Sequence, residues 1–198
     1  RGEIAFLRDE NYNTGRRLHE CFLGDRGWTS GFFRLNGRLY QPGDLGRVIG
    51  SEIGIQIERP DRPGGVLFDN MTALDNLCTS LIPKAGQHII RKKIVSSILS
   101  EALRWFPKEM LLQPLSSWSY PERLRFSYYR WYLLNPRLLI CFFPFAGQES
   151  THHKMIIDLL VLCAQRGMAV WIISSGIDAI CEKTDNEEFL RRLHYLNK

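Results

Sequence analysis

Two continuous apolar runs with one amphipathic segment between them constrain this chain more than any other feature. Leu138-Leu139-Ile140-Cys141-Phe142-Phe143 is bounded by Pro136 and Pro144, and Met168-Ala169-Val170-Trp171-Ile172-Ile173 follows Gly167. A run with no polar alternation suits a strand covered on both faces, the environment of a parallel sheet. Between the two, Met155 to Gln165 spaces its apolar residues as a helix does, and Gly167 is placed to cap its end. Strand, helix, strand with short links is a βαβ unit, right-handed by the chirality of such crossovers. The second half is therefore expected to be α/β.

The first half is more mixed. Gly2 to Leu7 predicts a short strand, Asp9 to Gly15 a polar loop, and Arg16 to Leu23 a helix closed by Gly24. Ser30 to Tyr40 predicts a hairpin turning at Asn36-Gly37, a dipeptide that tolerates the positive φ angles of a tight turn. Ile53 to Ile57 alternates like a strand, and Arg59 to Gly65 is a Pro/Gly-rich loop. From Thr72 to Phe106 the period is helical, carried by Ile94, Ile98 and Ala102 with Val95, Leu99 and Leu103. Arg123 to Leu134 predicts a further helix, stopped by Asn135-Pro136.

Composition excludes several classes. With 198 residues, 44% hydrophobic and 24% charged, the chain has material for a packed core. Its surplus of +5 is spread over short clusters: Arg91-Lys92-Lys93, Arg191-Arg192, and Arg123, Arg125 and Arg130. A solvated basic surface explains that better than a nucleic-acid groove, which needs charge gathered on one face. Cys21, Cys78, Cys141, Cys163 and Cys181 form no CxxC pair and are expected to be reduced core residues. His152 and His153 are adjacent, so a helix would point them about 100° apart, a poor chelating pair. His19 and Glu20 lack an HExxH partner, so no metal site is expected. Tyr128, Tyr129, Trp131 and Tyr132 are spaced as core or partner interface rather than as a base-stacking platform. No apolar run approaches the roughly 20 residues that span a bilayer. The expected location is cytoplasmic, at most peripheral to the inner face of the membrane. A start at Arg1 rather than Met makes a fragment of a longer protein the expectation.

Several stretches, in order, carry a resemblance. Arg1-Gly2-Glu3-Ile4 matches a "KGEI" strand, and Ser30-Gly31-Phe32-Phe33-Arg34-Leu35-Asn36-Gly37 matches an "SGEIRLDG" hairpin. Asn70-Met71-Thr72-Ala73-Leu74-Asp75-Asn76-Leu77 matches "LTVLENL". Trp118-Ser119-Tyr120-Pro121-Glu122-Arg123-Leu124-Arg125 stands where an "LSGGEQQR" signature belongs, with Asn135-Pro136 ten residues beyond Arg125. Ile172-Ile173-Ser174-Ser175 matches the switch segment that follows the second buried strand. In these stretches the chain resembles the nucleotide-binding domain of ABC transporters, in particular the second ATPase half of sugar importers. The resemblance implies an α/β, ABC-type nucleotide-binding-domain fold: a RecA-like parallel sheet core, an antiparallel β hairpin region, and a helical subdomain over roughly 72–118, all within one domain, 1–198.

The departures from that family bear on chemistry. A phosphate-binding loop needs glycines so that its N–H groups can wrap phosphates, with a Lys and a hydroxyl for the γ-phosphate and Mg²⁺. The stretch here is Arg8-Asp9-Glu10-Asn11-Tyr12-Asn13-Thr14-Gly15-Arg16, with Gly15 at the lysine position, Arg16 at the hydroxyl position, and Asp9 and Glu10 bringing negative charge where phosphates would lie. Phe142 and Phe143 replace the Asp-Glu pair that supports the metal and polarises water. Tyr120 and Pro121 replace the signature glycines, and Ser175 stands at the switch histidine position.

The resemblance and these losses together imply a pseudo-ATPase that is not an enzyme and binds neither ATP nor Mg²⁺. It would act as a binding or regulatory module, pairing with another ABC-type domain or as a homodimer, or docking on a transporter membrane subunit. The alternatives are the sensory half of a cytoplasmic transcription regulator fused to a DNA-binding module, and an ATP-binding importer subunit with residual activity. The expected interface residues are Ser119, Tyr120, Glu122 and Arg125 at the signature, with Asp61 and Arg62 in a loop matching "VPEDR". Arg16 and Arg17 are read as a solvated helix start, with anion capture as the rival reading.

Overall fold

The computed structural model describes residues 2–27, 30–58, 67–85, 92–146 and 149–196. In chain order these form β1 (Ile4–Arg8), α1 (Asn13–Leu23), β2 (Phe33–Leu35), β3 (Arg38–Tyr40), α2 (Pro42–Val48) and β4 (Ile53–Ile57). Then come α3 (Ala73–Ala85), α4 (Lys92–Ala102), α5 (Lys108–Leu111), a 3-10 turn at Leu115–Ser117 and α6 (Tyr120–Leu134). The chain continues through β5 (Leu138–Phe142), α7 (Ser150–Gln165), β6 (Ala169–Ser174), α8 (Ile177–Cys181), α9 (Glu187–Arg192) and β7 (Leu193–Tyr195).

Five of the strands make one parallel sheet in the order β4-β5-β6-β1-β7. β5, α7 and β6 are the βαβ unit that the two apolar runs predict, and β5 is buried along its whole length. The separate β2–β3 hairpin turns at Asn36 and Gly37, with φ of 49° and 80°. Two consecutive positive φ angles give the turn whose twist matches the flanking strands.

Each face of the sheet carries its own core. One is filled from α6 and α7 by Leu124, Tyr128, Trp131, Ile156 and Leu160 against Ile4, Phe6, Leu139, Cys141 and Ile172. The other is filled by Phe22, Tyr40 and Leu45 against Ile53, Ile140, Phe142 and Ile173. A third core joins Leu77, Ile98, Phe106 and Leu111 of the helical region to Phe126 and Tyr129 on the far side of α6. α6 is thus buried along most of its length, because it is covered on two sides. Gly54 lets it come close: a Cβ built there would lie 2.9 Å from Trp131 and 3.0 Å from Leu139.

Three helices begin earlier than their apolar period predicts. α1 starts at Asn13 rather than Arg16, α6 at Tyr120 rather than Arg123, and α7 at Ser150 rather than Met155. Their first turns are polar and carry no period to read. The helical stretch from Thr72 to Phe106 divides into α3 and α4. At the start of α3, Thr72 Oγ1 accepts the Asp75 N–H at 3.0 Å, and buried Asn76 donates to the Phe68 and Thr72 carbonyls, each at 3.0 Å. Tyr128, Tyr129 and Trp131 are core residues, as their spacing predicts. The cysteines in the structure are unpaired thiols. Burial raises the Cys141 thiol far above its usual range and that of Cys163 to about 12, which keeps both protonated and inert. None of the described helices is long and apolar enough to cross a membrane.

Candidate functional site

β1 leads directly into the segment that stands in the phosphate-loop position. Asp9 N–H donates to the Ser174 carbonyl at 2.9 Å, extending the β1–β6 pairing by one residue and fixing where the Asp9 side chain begins. The chain then turns through Tyr12, which has a φ of 57°, and enters α1. Tyr12 supplies no side-chain cap. Asp9 supplies it from the strand end: its carboxylate accepts the Gly15 N–H at 2.7 Å and the Thr14 N–H at 3.3 Å, and the residue is only 5% exposed. The N-terminal N–H groups of a helix have no intrahelical acceptor and favour negative charge. The aspartate that reads in sequence as repelling phosphate therefore sits in the kind of place where a phosphate would be held. Arg16 and Arg17 lie in the second turn of α1, not at its start, and both are exposed.

Gly15, at the position of the family's lysine, has no free space above it. A Cβ built on it would lie 2.5 Å from Phe143 Cζ and 3.1 Å from both Asp9 Oδ2 and Ile173 Cγ2. Phe143 reaches this position with a φ of 53°, just past the end of β5. Its ring packs on Tyr12 at a centroid distance of 4.7 Å, and the Tyr12 hydroxyl lies 3.4 Å from Ser175 Oγ. Tyr12, Phe143 and Ser175, from three separate stretches, thus close over the loop. Phe142 is fully buried, with its ring edge-on to His19 at 5.3 Å. A phenyl ring neither ligates a hard cation nor accepts a proton, so neither Phe142 nor Phe143 can support a metal or activate water. Among the described residues no group of three or more His, Cys, Asp or Glu is placed to hold a metal ion.

The signature position is the start of α6. Glu122 folds back on Ser119, accepting its N–H at 2.8 Å and its hydroxyl at 2.6 Å, a reciprocal cap within one turn. The Ser119 hydroxyl, then its N–H, holds the Glu122 carboxyl below its usual pKa. Pro121 in this first turn has no N–H to offer any ligand. Tyr120 is half-buried against His152 at 5.4 Å, while Arg125 is exposed with its guanidinium over the Trp105 and Phe106 rings. Ser119, Tyr120, Glu122 and Arg125 are therefore gathered on and around one helix end, whereas Asp61 and Arg62 lie outside the described residues. The other arginines of the cluster diverge. Arg123 pairs with Asp69 at 2.6 Å, and Arg130 is buried, its pKa lowered to about 10 by loss of solvent. No common basic face results.

One polar group missed by sequence reasoning links the sheet to α6. Gln56 on β4 accepts from Trp131 Nε1 at 2.8 Å and donates to Ser127 Oγ at 3.1 Å and to Glu58 at 2.7 Å, all buried. The only trace of it in the sequence is a glutamine inside a strand that is otherwise apolar.

No protein-family model matches the chain. It is 26% identical over 187 residues to a Pseudomonas syringae pv. tomato protein named for ribose/galactose/methyl galactoside import and ATP binding, and 27% identical to one of the same name from Pseudomonas fluorescens. Those matches take in 93% of this chain but only 35–36% of the relatives, so the chain spans about a third of their length. Among solved structures it is similar to cbiO1 of Clostridium perfringens, part of the ABC transporter complex cbiONQ, with a TM-score of 0.71, 19% identity, and 98% of this chain and 73% of that one covered. An ATP-binding cassette solved as a dimer in a post-hydrolysis state with ADP and Pi gives a TM-score of 0.67 at 17% identity, covering 99% of this chain and 82% of that one. Sheet order, hairpin and helical region agree with the sequence likeness: the chain is similar to ABC import ATP-binding proteins and has the fold of the ABC ATPase cassette.

Proposed function

We propose that this chain is a non-hydrolysing cassette domain that works by docking, pairing with another ABC-type domain or with a second copy of itself. The observation that carries the reading is the filled loop. Phe143 occupies the space above Gly15, and the Asp9 carboxylate takes the N–H groups at the start of α1. Phosphoryl transfer depends on positioning and on charge stabilisation, and neither the end of β5 nor the start of α6 offers groups for it. The docking half of the proposal draws on cassettes solved as dimers. The face would be formed by Ser119, Tyr120, Glu122 and Arg125, with Asp61 and Arg62 as a second contact. The longer protein would pair this domain with an active cassette at a transporter membrane subunit, or carry it on a DNA-binding module.

Calorimetric titration with Mg-ATP tests the chemical half. The expected result is no heat of binding and no phosphate release; micromolar affinity would sink the reading. Sedimentation with Arg125→Glu and Tyr120→Ala tests the docking half. Loss of association in these variants supports the assigned face, and unchanged association removes it.

A further inference from the structure

We infer that the groove between α6 and α7 is a docking site for an amphipathic helix of a partner protein, one that carries carboxylates towards both of its ends. The inference rests on the docking reading and deepens it, by naming the chemistry of a partner and seating it beside the pairing face. The groove is open, has a volume of about 390 Å³ and runs along α7 from its first turn. Its floor is apolar. Met155, Leu159 and Leu162 recur along α7 at spacings of four and three. Trp105 stands across from them, half-buried, with its ring 5.3 Å from those of Tyr129 and Tyr132 on α6.

The charges around the groove are not alike. Lys154 is paired with Asp185 at 3.0 Å, and Asp158 accepts from Asn186 Nδ2 at 2.8 Å. Arg125 and Arg166 are exposed, and neither has a carboxylate partner among the described residues. Each is instead laid over aromatic rings. The guanidinium carbon of Arg125 lies 5.4 Å from the Phe106 centroid and 5.9 Å from that of Trp105, and the guanidinium carbon of Arg166 lies 4.4 Å from that of Tyr132. Arg125 meets the groove beside Thr151 in the first turn of α7, and Arg166 follows the last turn, four residues beyond Leu162. The two cations therefore bracket the apolar stripe. A guanidinium held flat against a ring keeps its edge N–H groups for a carboxylate and has less freedom to lose on meeting one. Walls made of helices offer no open backbone for strand pairing, so the occupant enters by its side chains: apolar ones three and four apart, with an acid near each end. A nucleic-acid strand fits less well, because the aliphatic stripe gives its bases no stacking surface and Asp158 repels its phosphates.

The test is fluorescence anisotropy of a labelled synthetic peptide about as long as α7, titrated with the whole chain. The peptide has leucines three and four apart and glutamates in its first and last turns. The expected result is micromolar binding that weakens with salt, while the same peptide with lysines for glutamates binds about tenfold more weakly. Arg125→Glu and Arg166→Glu should each weaken the glutamate peptide by about tenfold, with Tm within about 2 °C of the parent because both side chains are exposed. Together they should turn the preference to the lysine peptide, a reversal that apolar contact alone cannot give. Equal binding of the two peptides, or no binding of the glutamate peptide, would overturn the inference. So would variants that leave its affinity unchanged, or a single-stranded RNA that binds more tightly than the peptide. Unchanged sedimentation of Tyr120→Ala with the peptide still bound would strike the pairing face alone. Lost association in Tyr120→Ala, in a parent chain that binds no peptide, would strike the groove alone.

Discussion

The two helix starts that the family resemblance assigns to nucleotide, those of α1 and α6, are each occupied by a carboxylate, but by different routes. At α6 the group is Glu122 in the helix's own first turn, partly exposed and held by Ser119 three residues away. At α1 it is Asp9, which lies outside the helix at the end of a strand, is buried, and reaches the N–H groups only because the chain turns at Tyr12. A local cap acts within the helix it starts. A tertiary cap requires strand, turn and helix to be in place together, so it joins the loop to the cooperative core. Substitutions around α1 should accordingly cost more than those around α6.

The largest expected effect comes from placing the family's Asp-Glu pair at the end of β5. Phe142 is shut off from solvent: it packs in the core formed with Phe22, Ile140 and Ile173. Phe142→Asp would bury an unpaired carboxylate there, at a cost of about 3–5 kcal/mol. Urea unfolding should show a strongly lowered midpoint, and Phe142→Asp combined with Phe143→Glu should show no ATPase activity. A folded double variant that hydrolyses ATP would mean that only the terminal pair separates this chain from an enzyme.

Next in size is the contact that closes the loop. Gly15→Ala places a methyl group 2.5 Å from the Phe143 ring and 3.1 Å from Asp9 Oδ2, an overpacking cost of about 1–3 kcal/mol. Phe143→Ala should relieve most of it. In a double-mutant cycle the pair should then be less destabilised than the sum of the single variants. Additive losses would mean that the ring yields freely and does not fill the site.

How much of this could be read beforehand depends on whether the cause is local. β5 and β6 were legible from their apolar runs, β4 from its alternation, and the hairpin from Asn36-Gly37, because burial and positive φ leave marks on the residues themselves. The short elements α2, α8, α9 and β7 were not. Each is seven residues or fewer, and the three-residue β7 is a strand only because β1 offers it an edge. The residue types at Gly15, Phe142 and Phe143 could be set against the family pattern directly. That Asp9 turns inward to satisfy α1 could not, since it depends on the φ of Tyr12 and on a hydrogen bond to Ser174 from a distant strand.

The smallest expected effect is at α6, and it carries a pH signature that α1 is not asked to show. The Glu122 carboxyl is held below its ordinary range chiefly by the Ser119 hydroxyl, then by the Ser119 N–H. A carboxylate whose pKa is depressed on folding contributes stability above its unfolded value, about 4.3, and loses that contribution as pH falls through its lower folded value. Glu122→Gln should therefore be less stable than the parent at pH 6–7, by about 1 kcal/mol or less because the group is largely solvated. The gap should narrow below about pH 4, as protonation of the parent's own Glu122 removes the same interaction. Ser119→Ala should mimic the loss at neutral pH, and the two substitutions combined should cost little more than either alone, since each breaks the same cap. A gap that stays constant down to pH 3 would show that Glu122 acts by packing rather than charge. A loss at neutral pH as large as that of Asp9→Ala would erase the distinction between a local and a tertiary cap.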